Sequence, residues 1–563
     1  MNKPNSKTQQ LWSKYQAEIF ITIIGLLLFV PYTQSLPLIE GQELNLAEKS
    51  REMWLTKEWW IPQIGFKKIW GDLPLFSWLI TICTQLLGDN PLFFRLPNAI
   101  SGVFTLIMIY RMGKSLHGIR MGWLWLGSYL TSFLPHFFFR FINPIPLHHL
   151  LFFSALYYFY IGIHKKSDKN LLLCGFLTAL NLLLAGSEAL IIPIVVMVVI
   201  YTINRKMPPF KATQFTLILM GFCAPILIYC VFFLMQHSIE DLALSVFPNM
   251  SLMDRYHSYH GPIPSTHLWL IIAACFPMSL LAIAYFISNI NEQRNKLFKK
   301  FMAITLWVIL ILFAFLPSKN WFYFNALALF PLSYFSGLYL NQIFLQKRTF
   351  PVWLYSSISL MAIIFGVGLY ILPKLAEISG VLPLEDYPLI RQMFETLKFN
   401  GEQDGIIGLL YTAGILYGLY LMERKKITFA VEIIFFSIVL SIQFSLYRYL
   451  PVVEEAYQGP ALRFIKAHKA EDCYILASGT NNASPLFYGQ QQKSGPKSQS
   501  ADWLLFGNID KDLYIYIRKE QHFRVRGVRN LRLIYEENGF YFYHRPAVHQ
   551  DPEKEKATSS PKP

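Results

Sequence analysis

Leu36 to Leu75 reads LPLIEGQELNLAEKSREMWLTKEWWIPQIGFKKIWGDLPL. Its Glu40, Glu43, Glu48 and Glu52 stand out in a chain that is 54% hydrophobic, 16% aromatic and only 15% charged. The pattern from Leu44 to Leu55 suits a short amphipathic helix, with Trp54, Trp59 and Trp60 placed to anchor at the headgroup level. Apolar runs flank this loop, from Ile19 to Val30 before it and recurring after it to about Tyr447. Runs of about 20 apolar residues read as membrane spans, and soluble domains carry roughly 25% charged residues. An ordinary soluble globular protein is excluded. Acidic groups beside a membrane are costly unless solvated or functional, so this loop is either a solvated interfacial helix or the place where chemistry sits.

Lys and Arg number 50 against 35 Asp and Glu, a net charge of +15. The excess lies in short loops between spans, which removes nucleic-acid binding and marks the cytoplasmic side. Clusters fall at Lys3, Lys7 and Lys14; Arg111, Lys114 and Arg120; Lys165, Lys166 and Lys169; Arg205, Lys206 and Lys211; Arg294 to Lys300; Lys347 and Arg348; and Arg424 to Lys426. They predict about 13 transmembrane helices in an all-α polytopic membrane protein, N-terminus in and C-terminus out. Ile19 to Val30 lacks a small-residue cleavage site after it and reads as a retained span. Pro74 to Gly88 is too short to cross and reads as interfacial or re-entrant. The longer outer loops are 36–73, 140–147, 237–267 and 374–402. Intramembrane charge is sparse, with Glu188 the main candidate, which argues against an ion-coupled transporter.

The membrane domain is placed at 1–446 and a small C-terminal α/β extracytoplasmic domain at 447–549. Pro451 to Ala470 predicts a helix; Tyr474 to Ala477 and Leu513 to Ile517 predict strands; Arg532 to Tyr535 and Phe540 to Tyr543 flank an Asn538-Gly539 hairpin turn. The tail 550–563 lacks the apolar residues for a core and is expected to be disordered. The six cysteines show no metal-type pairing, and Cys473 is expected to be buried in a strand rather than reactive. His148-His149, and His237, His257, His260 and His267 around Asp254, carry imidazoles that can bind a metal; a solvated loop is the simpler reading.

Glu43 to Met53, followed by Glu58-Trp59 and Pro62, Pro74-Leu75, Trp78-Leu79 and Arg95-Leu96-Pro97, resembles the first outer loop of the GT-C glycosyltransferases. The branch is that of the bacterial lipid A aminoarabinose transferases and the protein O-mannosyltransferases. Arg140 to Leu147 (RFINPIPL) is similar to the family's second outer loop, and Leu316 to Pro331 to its S-K-x-x-Y-x-x-P stretch. The resemblance implies inverting transfer of a sugar from a polyprenyl-phosphate donor to lipid A, another envelope glycan or a protein, at the periplasmic face of a bacterial inner membrane. Such chemistry needs a carboxylate to deprotonate the acceptor, and cationic or divalent-metal help for the departing phosphate. It requires no nucleotide, in keeping with the absence of a Gly-rich phosphate loop.

The chain departs from the pattern at chemical positions. Gln42 stands where the family has its catalytic Asp, Gly71-Asp72 where it has Glu-Lys, and Ile145 where it has a second Asp. An amide is no general base at neutral pH. Two readings follow. In one, Glu43 or Glu40 takes over as base with Asp72 orienting a partner or metal, while Lys319, Tyr323 and Arg140 contact the donor phosphate. In the other, the chain is a catalytically degenerate member that binds the lipid phosphate as an accessory or regulatory subunit.

Overall fold

The computed structural model describes residues 7–186, 188–203, 211–246, 266–288, 290, 294–315, 326–378, 391, 394–397, 399, 402–478, 483–490 and 501–547. Helix α1 (Lys7–Phe29) leads into the acidic loop region that holds α2 (Gln42–Thr56), a two-residue-per-strand hairpin of β1 (Gln63–Ile64) and β2 (Lys67–Lys68), and α3 (Leu75–Leu87). The predicted amphipathic helix is α2. At 13 residues, α3 is about 20 Å long, short of the roughly 30 Å hydrocarbon core. It packs along α2, where the Thr81 hydroxyl donates to the Ser50 carbonyl at 3.1 Å, and leaves Leu86 76% exposed.

Helices α4 (Pro91–His117), α5 (Ile119–Leu130), α6 (Phe133–Phe138), α7 (Ile145–Lys165) and α8 (Asp168–Ala185) follow. Their inner faces join those of Met278–Ile287, Lys296–Phe315 and Leu329–Phe344 in the main core, around a fully buried Trp125 whose indole donates to Ser333 Oγ at 3.0 Å. Close crossings use small residues: a Cβ on Gly175 of α8 would lie 2.0 Å from the Ile218 carbonyl oxygen, so α8 and Ala212–Leu234 touch backbone to backbone, as membrane helices do.

Among the described residues six helices are long and apolar enough to cross a membrane. Large apolar side chains such as Leu227, Ile228, Val231 and Phe232 point outward from them. The chain is a multi-pass membrane protein.

The expected helix at Pro451 is not a separate element. It continues the last membrane helix as one rod, Ile427–Ala467, of 41 residues, about 60 Å long. Pro451 and Pro460 lie inside it without ending it. The boundary drawn at 447 therefore falls within a continuous helix. Beyond the rod, β3 (Tyr474–Ser478), β4 (Leu513–Arg518), β5 (Arg532–Glu537) and β6 (Phe540–Arg545) form one sheet in the order β3-β4-β6-β5, with β3 parallel to β4 and the other pairs antiparallel. Asn538 and Gly539 both have positive φ, 42° and 77°, as the hairpin turn requires. Phe464 and Ile465 of the rod pack on one sheet face. Cys473 lies one residue before β3 and is half-buried rather than within the strand, and its thiol, pushed up to about 11 chiefly by burial, stays protonated at neutral pH.

Candidate active site at the outer loop

The entry to α2 is set by Gly41, whose φ of 113° is open to glycine and strained for other residues. Gln42 follows at the helix start and is exposed. Glu43, about 100° round the helix from it, is 6% exposed. Its Oε1 accepts from Arg95 Nε at 2.7 Å and the Ile142 amide at 3.0 Å; its Oε2 accepts from Arg95 Nη2 at 2.9 Å and the Ile39 amide at 2.8 Å. Arg95, 1% exposed, spends its remaining capacity on the carbonyls of Thr33, Leu36 and Pro37. This fork-on-fork pair ties the end of α1, the start of α2, α4 and the second outer loop into one knot. The geometry gives Glu43 an anchoring place.

Glu40 sits two residues before Gln42. Its amide donates to Gln458 Oε1 at 2.7 Å and its Oε1 accepts from the Ser484 hydroxyl at 3.3 Å. Gln458, on the rod, also donates to the Leu38 carbonyl and to Glu454, and the Tyr488 hydroxyl reaches the same carbonyl at 3.1 Å. The rod and the short helix Ala483–Tyr488 thus hold the mouth of the loop from above. Burial raises the Glu454 carboxyl above the usual range. Asp72 lies in the loop before α3, ion-paired to Lys49 of α2 and 44% exposed.

The inner face of α2 carries a second acidic pair. Glu48 and Glu52 are both fully buried, one helical turn apart and hydrogen-bonded to each other. Arg51 forks onto Glu48 at 2.6 and 2.7 Å, while Glu52 accepts the amides of Gly65 and Phe66 at the β1–β2 turn, at 2.6 and 2.7 Å. Burial, then Glu48, push the Glu52 carboxyl up to about 8, so it holds a proton at neutral pH and donates it to Glu48. The unfolded chain releases that proton near the ordinary value of 4.5. Stability therefore falls as pH rises from about 4.5 to about 8 and is level above. Glu52→Gln keeps the donation to Glu48 and one of the two accepted amide hydrogen bonds, and should flatten that slope in melting curves taken across pH; parallel declines in wild type and variant would refute the shared proton.

Arg140 lies in the second outer loop, 4% exposed. Its Nη2 donates to Gln443 Oε1 on the rod, and Nη1 makes a long contact of 3.5 Å to the His136 carbonyl. The Gln443 amide nitrogen donates to His136 Nδ1 at 2.8 Å, and His136 Nε2–H donates to the Leu130 carbonyl at 2.7 Å. Among the described residues no carboxylate pairs with Arg140.

Lys319 and Tyr323, with His257, His260 and Asp254, lie outside the described residues, as do the side chain of His267 and the tail 550–563. His148 is buried and shares a hydrogen bond with Asn181 at 2.7 Å; His237 meets Glu58 at 3.0 Å. Among the described residues no three His, Cys, Asp or Glu side chains converge as a metal site. Gln458, Gln443 and His136 escape a reading of the sequence because neutral amides and a lone histidine in apolar helices carry no motif.

A family model described as dolichyl-phosphate-mannose-protein mannosyltransferase matches residues 72–229. A 191-residue stretch is 25% identical to undecaprenyl phosphate-alpha-4-amino-4-deoxy-L-arabinose arabinosyl transferase 1 of Proteus mirabilis, covering 33% of this chain. The match spans 35% of that curated relative's length. The crystal structure of ArnT from Cupriavidus metallidurans bound to undecaprenyl phosphate superimposes with a TM-score of 0.73 at 15% identity, over 95% of this chain and 100% of that one. The chain has the GT-C fold of membrane glycosyltransferases. The apo state of the same ArnT agrees, with a TM-score of 0.72 at 13% identity over 96% and 100% of the two chains. Within this GT-C fold, the Arg95–Glu43 knot, Arg140 and the clasp from the rod all converge on the first and second outer loops.

Proposed function

We propose that the chain transfers a sugar from a polyprenyl-phosphate carrier to an envelope acceptor, lipid A, a glycan or a protein, at the periplasmic face of a bacterial inner membrane. About thirteen crossings, the N-terminus inside and the α/β domain outside, belong to the same reading. The observation that carries it is the whole-chain likeness to a structure holding undecaprenyl phosphate, which the buried cation Arg140 beside the outer loop complements. In the reaction the acceptor oxygen attacks the anomeric carbon, the carbon–oxygen bond to phosphate breaks, polyprenyl phosphate leaves, and a carboxylate takes the acceptor proton. Glu40 is assigned that proton, since Glu43 has every oxygen lone pair directed at a donor and Asp72 is bound to Lys49 farther along α2. Glu43 positions the loop. Arg140, with Lys319 and Tyr323 by the family pattern, binds the leaving phosphate.

Labelled sugar offered on a panel of polyprenyl-phosphate donors to the purified protein in lipid discs should appear in a new glycosidic bond, with polyprenyl phosphate released in equal amount. Passage of sugar across sealed vesicles without a new bond overturns the reading in favour of transport. The degenerate, accessory reading is favoured by one observation: the exposed amide of Gln42 occupies the family's acid position while its neighbour Glu43 is locked into the Arg95 knot.

A further inference from the structure

The side of α2 that begins with Gln42 is polar for two turns. Gln42, Asn45 and Lys49 stand at i, i+3 and i+7, within about 60° of one another round the helix. Gln42 is exposed, while Asn45 and Lys49 are half-buried. Lys49 lies one turn beyond Asn45, at the spacing from which it could donate to the amide oxygen, but its ammonium is ion-paired to Asp72 instead. Asn45 Oδ1 is left buried with no hydrogen-bond donor. An acceptor shut off from water and unpaired in the fold costs stability. Helix propensity does not repay that cost, since asparagine is among the poorer residues for a helix interior.

This orphan oxygen lies at the mouth of the candidate site. The Asn45 backbone amide donates to the Gly41 carbonyl at 3.0 Å, so Asn45 sits one helical turn in from Glu40 and Gly41. The chemistry of the missing partner follows from the atom itself. A side-chain carbonyl oxygen accepts and cannot donate, so its partner must bring a hydrogen. The oxygens of an ionised phosphate are acceptors only and repel it. A sugar hydroxyl, both donor and acceptor, matches an amide that accepts at one atom and donates at the next. Gln42, one turn away, carries the same two functions, and Lys49, fixed by Asp72, adds ammonium hydrogens at the far end of the strip.

We infer that Asn45, with Gln42 beside it, hydrogen-bonds a hydroxyl or amino group of a sugar ring held along α2. Asn45 Oδ1 accepts from that group, and the ring lies within one turn of Glu40. The inference deepens the function proposed above and rests on it for the presence of a sugar at this loop. The sugar on a carrier lipid and a sugar of the acceptor share the chemistry.

The test is binding to the full chain in zwitterionic discs. Polyprenyl phosphates loaded with arabinose, mannose or glucose are titrated beside bare polyprenyl phosphate, and lipid A is titrated without donor. Asn45→Leu is the informative variant, similar in size and better suited to a helix. It should hold or raise the melting temperature, leave bare polyprenyl phosphate binding unchanged, and weaken binding of the sugar-bearing ligand about tenfold, the worth of one hydrogen bond. Asn45→Ala should behave alike and serves if the first variant does not fold. Loss confined to a sugar-loaded carrier assigns the strip to the transferred sugar, whereas loss confined to lipid A assigns it to the acceptor. A lowered melting temperature would reveal a partner for Oδ1 within the fold and overturn the inference. So would a folded variant that binds every sugar-bearing ligand as wild type does, which leaves only water at Oδ1, or one that loses bare polyprenyl phosphate equally. If wild type shows Asn45-dependent sugar binding but no transfer on any donor, the proposed function fails and this site stands.

Discussion

Glu40→Gln should lower sugar transfer about 10²- to 10⁴-fold, the usual contribution of a positioned general base, while folded yield and donor binding stay at wild-type levels. The amide keeps the shape and the contact with Ser484 but cannot take the acceptor's proton. Asp72→Asn, which disturbs only the half-exposed pair with Lys49, should cost far less. Single-turnover transfer of labelled sugar, measured with saturating donor, checks both. A Glu40→Gln enzyme with unaltered turnover removes the assignment of the base. The companion variant is Gln42→Asp, which places a carboxylate on an exposed first-turn position where the helix dipole tolerates it. A wild type that is silent on every donor, with turnover appearing in Gln42→Asp, would identify the chain as the degenerate accessory member.

The second large effect concerns folding. Glu43→Ala should destabilise the protein by about 3–5 kcal/mol, the cost of leaving one partner of a buried ion pair uncompensated. Arg95 would keep its carbonyl contacts but lose its counter-charge, and the amides of Ile39 and Ile142 would lose their acceptor. Glu43→Gln is milder in shape yet presents an NH₂ group to a donor, so it too should fall well below wild type. Arg95→Met alone should be similarly damaging, whereas the double variant Glu43→Leu with Arg95→Met should recover much of the loss, because matched removal deletes both charges. Melting curves of wild type, Glu43→Leu, Arg95→Met and the double variant form a double-mutant cycle. Strictly additive losses would show that the two side chains do not act as a pair. Lost transfer in Glu43→Ala, accompanied by a lowered melting temperature, reports this knot and not a missing base.

The contrast between Glu40 and Glu43 marks how far the primary structure can be read. Both are acids in one loop, three residues apart, and either is a reasonable base by position. The difference lies in Arg95, 52 residues away on α4, and in amides contributed by two separate loops. Helical spacing tells which face of α2 is buried, yet not what stands opposite it. The Arg-Leu-Pro context marks Arg95 in the sequence but does not reveal its partner.

Local signals carried through intact. The apolar runs determined a membrane protein because a bilayer tolerates only self-satisfied helices of sufficient length. The short run at Leu75–Leu87 determined a helix of only 13 residues, too short to cross by itself. Asn538-Gly539 determined a hairpin because its turn needs two positive-φ residues. Each of these depends on neighbours in the chain. The long-range contacts were decided only by tertiary structure: Gln458 of the rod gripping the mouth of the first loop, Gln443 aiming Arg140, Glu52 holding the β1–β2 turn, and Arg140 buried with no described carboxylate beside it. The sequence by itself determined the principal helices, the hairpin turn and the multi-pass membrane class, because those follow from covalent neighbours and from the solvent around them. Tertiary structure alone decided which charges are paired, because the energy of a buried charge depends on atoms that the chain brings beside it from hundreds of residues away.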